Sequence, residues 1–298
     1  MFDLYTEVTA RIIAQLEEGI IPWKKPWTGS SAGAVSHVTG RPYSLINQFL
    51  LGKPGEYLTF AQCKKEGGTV KKGALARLVV FWKCYPRQKM GADGQPETTP
   101  DGLPVVQNIP VLRYFNVFHI DDCEGIQAKY PVEAVAVADP NEEAEAALHG
   151  YFQRCGVKFE QSQQDRAYYS PGRDLVSLPL REQFADTAEY YSTAFHEATH
   201  STGHASRLDR FEKGAAAAGF GSESYSKEEL VAEIGAAACC HSLGLETPGS
   251  FRNSAAYIQN WLSVLKNDKR FIISAASKAE KAVRLILNLQ DAAEAGEE

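Results

Sequence analysis

Leu4, Val8, Ile12, Ile13, Leu16 and Ile20 recur at helical spacing, and Gly19 with Pro22 stops the pattern, so the chain is predicted to open on an amphipathic helix. Residues 23–41, rich in Trp, Pro, Gly and Ser, read as an irregular arm ahead of a second apolar helix at 45–51. Residues 76–85 and 111–119 are dense in β-branched and aromatic side chains and are predicted as strands. The polar, Gly- and Pro-rich stretch 91–102 joins them as an exposed hairpin loop. Over residues 131–145 the composition turns to Ala, Glu, Asp and Pro, which reads as a linker running into a helix and sets the expected domain boundary. Domains are therefore expected at 1–135 and 136–298. Beyond the linker come a helix at 142–155, short strands at 167–169 and 175–178, and long helical segments ending in Ala-rich runs at 253–265 and 274–293. The whole predicts an α+β protein, with a small antiparallel sheet in its N-terminal mixed α/β domain and a mainly helical C-terminal domain.

With 298 residues, 44% of them hydrophobic and 23% charged, the chain can bury two modest cores. It contains neither a run of about 18 apolar residues nor a charged-then-apolar leader, so no membrane partner and a cytoplasmic location are expected. The six cysteines include no CxxC pair, which argues against a thiolate zinc site and a disulfide framework and leaves them as small, mostly buried residues. The net charge of −6 hides an asymmetry. Residues 1–135 hold 15 Lys and Arg against 13 Asp and Glu, a balance of +2, while the remainder holds 16 against 24, a balance of −8. Within residues 64–89 there are eight Lys and Arg, and Glu66 is the only acid.

The sharpest chemical signal is Thr193-Ala-Phe-His196-Glu197-Ala-Thr-His200. Residues four apart on a helix lie one turn above each other, so His196 and His200 can close on one tetrahedral cation. Glu197, beside the first ligand, is placed to serve as a carboxylate base at the fourth position. Zinc is the expected ion, with another divalent cation such as Mn2+ also compatible. A third protein ligand is sought downstream, in Ser226-Lys-Glu228-Glu229-Leu-Val-Ala-Glu233-Ile-Gly. Glu229 is the expected ligand, and Glu233, on the same face, the acceptor that fixes a ligating histidine's N–H. A capping box formed by Ser226 and Glu229 at a helix start is the competing explanation. His204, Tyr191, Tyr225 and Arg207 flank the motif, but each fits a packing or surface role at least as well.

In the N-terminal half, cations and flat rings are interleaved, as single-strand binders require. The expected DNA-facing residues are Trp23, Lys24, Lys25, Trp27, Arg41, Tyr43, Lys71, Lys72 and Lys83, with single-stranded DNA as the partner. Phe81 and Trp82 alternate along a strand, so at least one of them is expected in the core. No P-loop or GxGxxG pattern is present.

Taken in order, several motifs resemble one family. They are Leu16-Glu-Glu-Gly19, Pro22-Trp-Lys-Lys-Pro-Trp27, Thr39-Gly-Arg-Pro-Tyr43, Ile46-Asn47, Gly67-Gly-Thr-Val-Lys-Lys-Gly73, Val80-Phe-Trp-Lys83, and Glu124-Gly-Ile126. In the second half they are Asp174, Pro179, Phe184, His196 to His200 with Thr202-Gly-His204, Arg207-Leu208, and Glu228-Glu-Leu-Val-Ala-Glu233. The chain resembles the ArdC-type antirestriction proteins of conjugative plasmids, which are related to the N-terminal part of certain plasmid-encoded primases. The resemblance implies an N-terminal single-stranded-DNA-binding domain, a C-terminal zincin-like metallopeptidase domain of the HExxH, gluzincin type, and protection of incoming plasmid DNA from host restriction. This chain departs from the pattern in having Ala198 and Thr199 inside the motif, where bulkier residues are common, and His119 where Asn is common. Two other readings are a peptidase whose N-terminal domain docks a protein substrate or restriction enzyme, and a non-catalytic DNA-binding protein with a vestigial metal site.

Overall fold

The computed structural model describes residues 3–23, 33–91, 94–130, 140–184, 186–211, 223–245 and 254–290. In chain order the first half contains α1 (Leu4–Glu17), β1 (Ala34–Ser36), α2 (Leu45–Leu51), β2 (Gly55–Thr59), α3 (Phe60–Lys65), β3 (Thr69–Val70), β4 (Arg77–Gln88), β5 (Val106–His119) and β6 (Cys123–Glu124). The second half contains α4 (Pro140–Cys155), β7 (Lys158–Ser162), β8 (Tyr168–Ser170), β9 (Leu175–Pro179), α5 (Thr187–Thr202), α6 (Glu223–Ser242), α7 (Ser254–Asn267) and α8 (Phe271–Leu287). The architecture is α+β, as expected. No described helix is long and apolar enough to cross a membrane.

The N-terminal sheet has the order β1-β2-β5-β4. It is mixed rather than purely antiparallel, because β1 runs parallel to β2. β4 and β5 pair from Arg77↔Val117 to Gln88↔Val106 and run well past the expected strand ends. Two prolines lie within them, and both are tolerated for one reason. Pro86 sits on the edge strand β4, and Pro110 on a part of β5 that β2, paired only with Val117–His119, does not reach, so neither position needs an outward N–H. In the second half β7-β9-β8 form a three-stranded sheet. The last helix starts at Phe271 and ends at Leu287, where Asn288 turns into the left-handed region (φ 55°), well short of the expected end at 293.

One hydrophobic cluster draws on both halves. Val8, Ile12 and Leu16 of α1, Ile46 and Phe49 of α2, and Leu78 and Val80 of β4 pack with Leu230 and Ile234 of α6, Trp261 of α7 and Ile272 of α8. Trp23 lies in this cluster, edge-on to Trp261 at 5.1 Å and tilted on Phe49 at 5.9 Å. A second cluster, from α4, β9, α5, α6 and α8, includes Phe152, Val176, Phe195, Ala198 and Cys239. Elsewhere, wholly buried His37 bridges Glu56 and Glu66, and Lys129 pairs with Glu66 at 2.8 Å.

α5 and α6 approach closely because the residues at their crossing are small. A Cβ at Gly235 would stand 2.6 Å from Cγ2 of Thr199. Thr199 is itself fully buried and donates its hydroxyl to Phe195 O at 2.7 Å. The small Ala198 and Thr199 inside the motif are thus accommodated by this tight crossing.

Arg207 ties the end of α5 to the β8–β9 turn. It donates to both Asp174 oxygens (2.5 and 3.0 Å) and to Ser201 O (2.8 Å). Burial acts to raise the Asp174 pKa, but hydrogen bonds from Arg207 and Tyr169 outweigh it and leave the carboxyl below its usual value.

Two outcomes are expected. Gly235→Ala should lower stability by about 1–3 kcal/mol, read as a drop in thermal midpoint, because Thr199 has no room to yield. A carboxyl with a lowered folded pKa stabilises fully above its unfolded value of about 4, and that contribution is lost as pH falls through the folded value. Urea unfolding from about pH 6 to about pH 3 should therefore decline less steeply for Arg207→Ala than for the wild type; parallel declines would show that the ion pair carries no acid sensitivity.

Candidate metal centre

α5 is started by Asp186, whose carboxylate accepts from Glu189 N at 2.7 Å, and it ends at Gly203. His196 and His200 stand one turn apart with their Nε2 atoms 3.1 Å from each other. Glu229 on α6 completes the group, with Oε2 3.5 Å from His196 Nε2 and Oε1 3.3 Å from His200 Nε2. Donors held tetrahedrally at about 2.0–2.1 Å from one cation stand about 3.3 Å apart; the two Nε2 atoms are near that spacing, and Glu229 turns one carboxylate oxygen to each of them.

The outer ring nitrogens are already committed. His196 Nδ1 lies 3.4 Å from Glu233 Oε2, and His200 Nδ1 lies 3.2 Å from Glu228 Oε1. With a proton on each Nδ1, both Nε2 atoms present lone pairs to one another and to the Glu229 carboxylate. Three acceptors that converge without a donor among them are relieved by a cation, so this donor set fits a divalent ion. Protons can fill the same role. Burial acts to lower both imidazole pKa values, but Glu229 and Glu233 hold His196 well above its usual value, and Glu228 and Glu229 bring His200 up to about 9. The same contacts keep Glu228 and Glu229 below the usual carboxylate range against their burial.

Glu197 is 9% exposed and acts electrostatically on both imidazoles. Glu229 is on the Nε2 side of His196 and Glu233 on its Nδ1 side, so only Glu229 shares the donor group with both histidines. The capping-box alternative is corrected, since α6 begins at Glu223 and Ser226 lies inside the helix. Glu228 was not singled out from sequence. Its only signal was its place beside Glu229, where the helical step turns one carboxylate to each side of His200. Arg210 was missed as well. It is 5% exposed, holds Glu228 through Nη2 (2.7 Å) and Nε (3.0 Å), and donates to Thr202 Oγ1 at 2.6 Å. The flanking residues are engaged elsewhere: His204 Nδ1 meets Ser206 Oγ at 2.8 Å, Tyr191 donates to Glu145 at 2.8 Å, and Arg207 serves Asp174. The Tyr225 side chain lies outside the described residues.

The predicted DNA-facing residues do not form one group. Lys24, Lys25 and Trp27 lie outside the described residues. Trp23 is corrected, because it is fully buried between Phe49 and Trp261 and offers no ring face to a base. Arg41 is exposed on the turn after β1, and Tyr43 is half-buried edge-on to Tyr57 at 6.3 Å. Lys71 and Lys72 are exposed after β3, with Lys71 Nζ donating to Asp121 O at 2.8 Å. Lys83 is exposed on β4. Neither Phe81 nor Trp82 is core; Phe81 stacks on Phe115 and Trp82 is 49% exposed.

Comparison with known proteins is consistent across the chain. Residues 2–118 match the family described as the N-terminal domain of anti-restriction factor ArdC, and residues 146–278 match a family described as zincin-like metallopeptidase. The crystal structure of the antirestriction ArdC protein from R388 plasmid in its metal-free state superposes with TM-score 0.72 at 37% identity, covering 96% of this chain and 97% of that one. Its Mn(II)-bound structure gives TM-score 0.72 at 36% identity, covering 96% and 98%. An Escherichia coli protein named DNA primase TraC is 34% identical over 287 residues, which is 92% of this chain but 19% of that protein's length.

Titration calorimetry with a divalent cation should show stoichiometric binding that is lost in Glu229→Ala. In Glu228→Ala and Glu233→Ala the affinity is expected to fall about 10- to 100-fold. Unchanged affinity in the Glu228 variant would remove its part in orienting His200.

Proposed function

The chain belongs to the ArdC-type antirestriction family, and we propose that it joins a divalent-metal hydrolase centre, in a domain spanning 136–298, to a single-stranded-DNA-binding domain spanning 1–135. The biological role that follows from the resemblance is protection of incoming plasmid DNA from restriction. The observation that carries the enzymatic part is the convergence of His196 Nε2, His200 Nε2 and Glu229, with both outer ring nitrogens held by carboxylates. Structural zinc has a closed shell of four protein ligands, whereas three are brought together among the described residues, which favours an open position for substrate or water. Two imidazoles and a carboxylate suit zinc, and the manganese in the R388 ArdC structure marks that ion as an alternative.

Bound there, the cation would supply a Lewis acid that acidifies water and polarises a carbonyl. The protein's part is positional. His196 and His200 are held in one tautomer by Glu233 and Glu228, and Arg210 holds Glu228 in turn. Glu197 accepts a proton at its carboxylate from the attacking water and returns it to the leaving amine of a peptide. The N-terminal half supplies cations and rings for single-stranded DNA, whose binding is expected to weaken steeply with salt.

Glu197→Gln separates the roles. It is expected to retain metal, measured by mass spectrometry of the purified protein, while peptide cleavage falls at least about 100-fold. Cleavage equal to the wild type would rule out the base. In cells, loss of antirestriction with Glu197→Gln would place the biology in the hydrolase centre, and its retention would place it in DNA binding.

A further inference from the structure

We infer that single-stranded DNA lies along one face of the β4–β5 hairpin, its bases on Phe81, Phe115 and Tyr85 and its phosphates on Lys83, Arg113 and Arg87. The inference rests on the single-strand-binding reading above and gives it a location. In the register of the hairpin, Phe81 stands opposite Arg113, Lys83 opposite Val111, and Tyr85 opposite Ile109, so all project from the same face, as does Phe115 opposite Val79. Phe81 and Phe115 stack with ring centroids 4.7 Å apart and an interplanar angle of 7°. Further out on β4, the Tyr85 ring has Lys83 Nζ at 5.7 Å and the Arg113 guanidinium at 5.9 Å from its centroid. Phe115 is 47% exposed and Tyr85 37% exposed, so both rings are reachable.

Among the described residues the outer part of this face is exposed. The opposite face is seated on α1 only in part: Tyr5 meets Trp82 at 6.5 Å and Leu112 packs against the shared core, while Trp82 and Tyr114 keep 49% and 45% of their surface exposed without a cation between them on that face. On the near side the foot is packed, by Val79, Val117 and Tyr57 with Tyr43 against them.

Charge selects the occupant. The chain carries a net −6, yet neither β4 nor β5 contains a single Asp or Glu, while Arg77, Lys83, Arg87 and Arg113 lie on them. Stacked rings separated along the strand by cations match a polyanion that exposes base faces, and a duplex offers none. Phe81 and Tyr85 are about 13 Å apart along β4, enough for successive bases with the cations between them.

The test uses the full chain and a fluorescein-labelled oligothymidylate followed by anisotropy. Phe115→Leu, which keeps apolar bulk and removes the flat ring, and Tyr85→Ala are each expected to weaken binding about 5- to 100-fold. Lys83→Gln and Arg113→Gln should each reduce the slope of log affinity against log salt by about one, while Lys278→Gln on α8, the same change in charge elsewhere, leaves it unaltered. An oligonucleotide carrying 5-iodouracil should photocrosslink to peptides containing Phe81, Tyr85 or Phe115, a readout that needs no variant. Wild-type affinity and slope in the hairpin variants, or crosslinks confined to other peptides, would overturn the location while leaving DNA binding itself intact. Failure of the wild type to bind at low salt would overturn both. A change of oligomeric state in Phe115→Leu with unaltered DNA affinity would assign the face to a second copy of the chain instead.

Discussion

Two imidazoles whose outer nitrogens are both claimed by carboxylates have nowhere to turn, and that constraint governs the second half of the molecule. With Glu233 behind His196 and Glu228 behind His200, the inner nitrogens are driven together onto Glu229. The geometry is possible only because α5 and α6 cross at Gly235 and Thr199, where a methyl group more would part them. Glu228 is in turn pinned by Arg210, which reaches back from the segment after α5. A backbone choice, a small-residue contact and a chain reversal thus converge on the placement of three electron pairs.

The first half obeys a different economy. Its two longest strands, β4 and β5, carry no acid, rings stand exposed on them, and its core is partly borrowed from α6, α7 and α8. Acidic residues are concentrated in the second half, where several of them surround the two histidines. The net charge of the chain describes neither half well.

Local patterns were legible where one element explains them. The first two helices, the hairpin and the histidine pair follow from spacing within single segments. Glu229 was reachable because α6 repeats its carboxylates at helical spacing. What was illegible depends on partners distant in sequence. Trp23 looked like an exposed ring in a polar arm until Trp261, far along the chain, was seen to cover it. Glu228 and Arg210 look like surface charges in isolation, and only their meeting gives them a role. The strands run past the segments dense in β-branched and aromatic residues, because pairing of β4 with β5 extends them through Pro86 and Pro110, whose outward edges need no N–H. The end of the last helix was overestimated, since an Ala-rich run carries no stop signal and the turn is made at Asn288.

Because α1 and α2 rest on the same apolar cluster as α7 and α8, neither half closes over its own oily surface. Severing the chain between them would strip Trp23 and Trp261 of their common cover, so a fragment of either half would leave a broad oily surface to water.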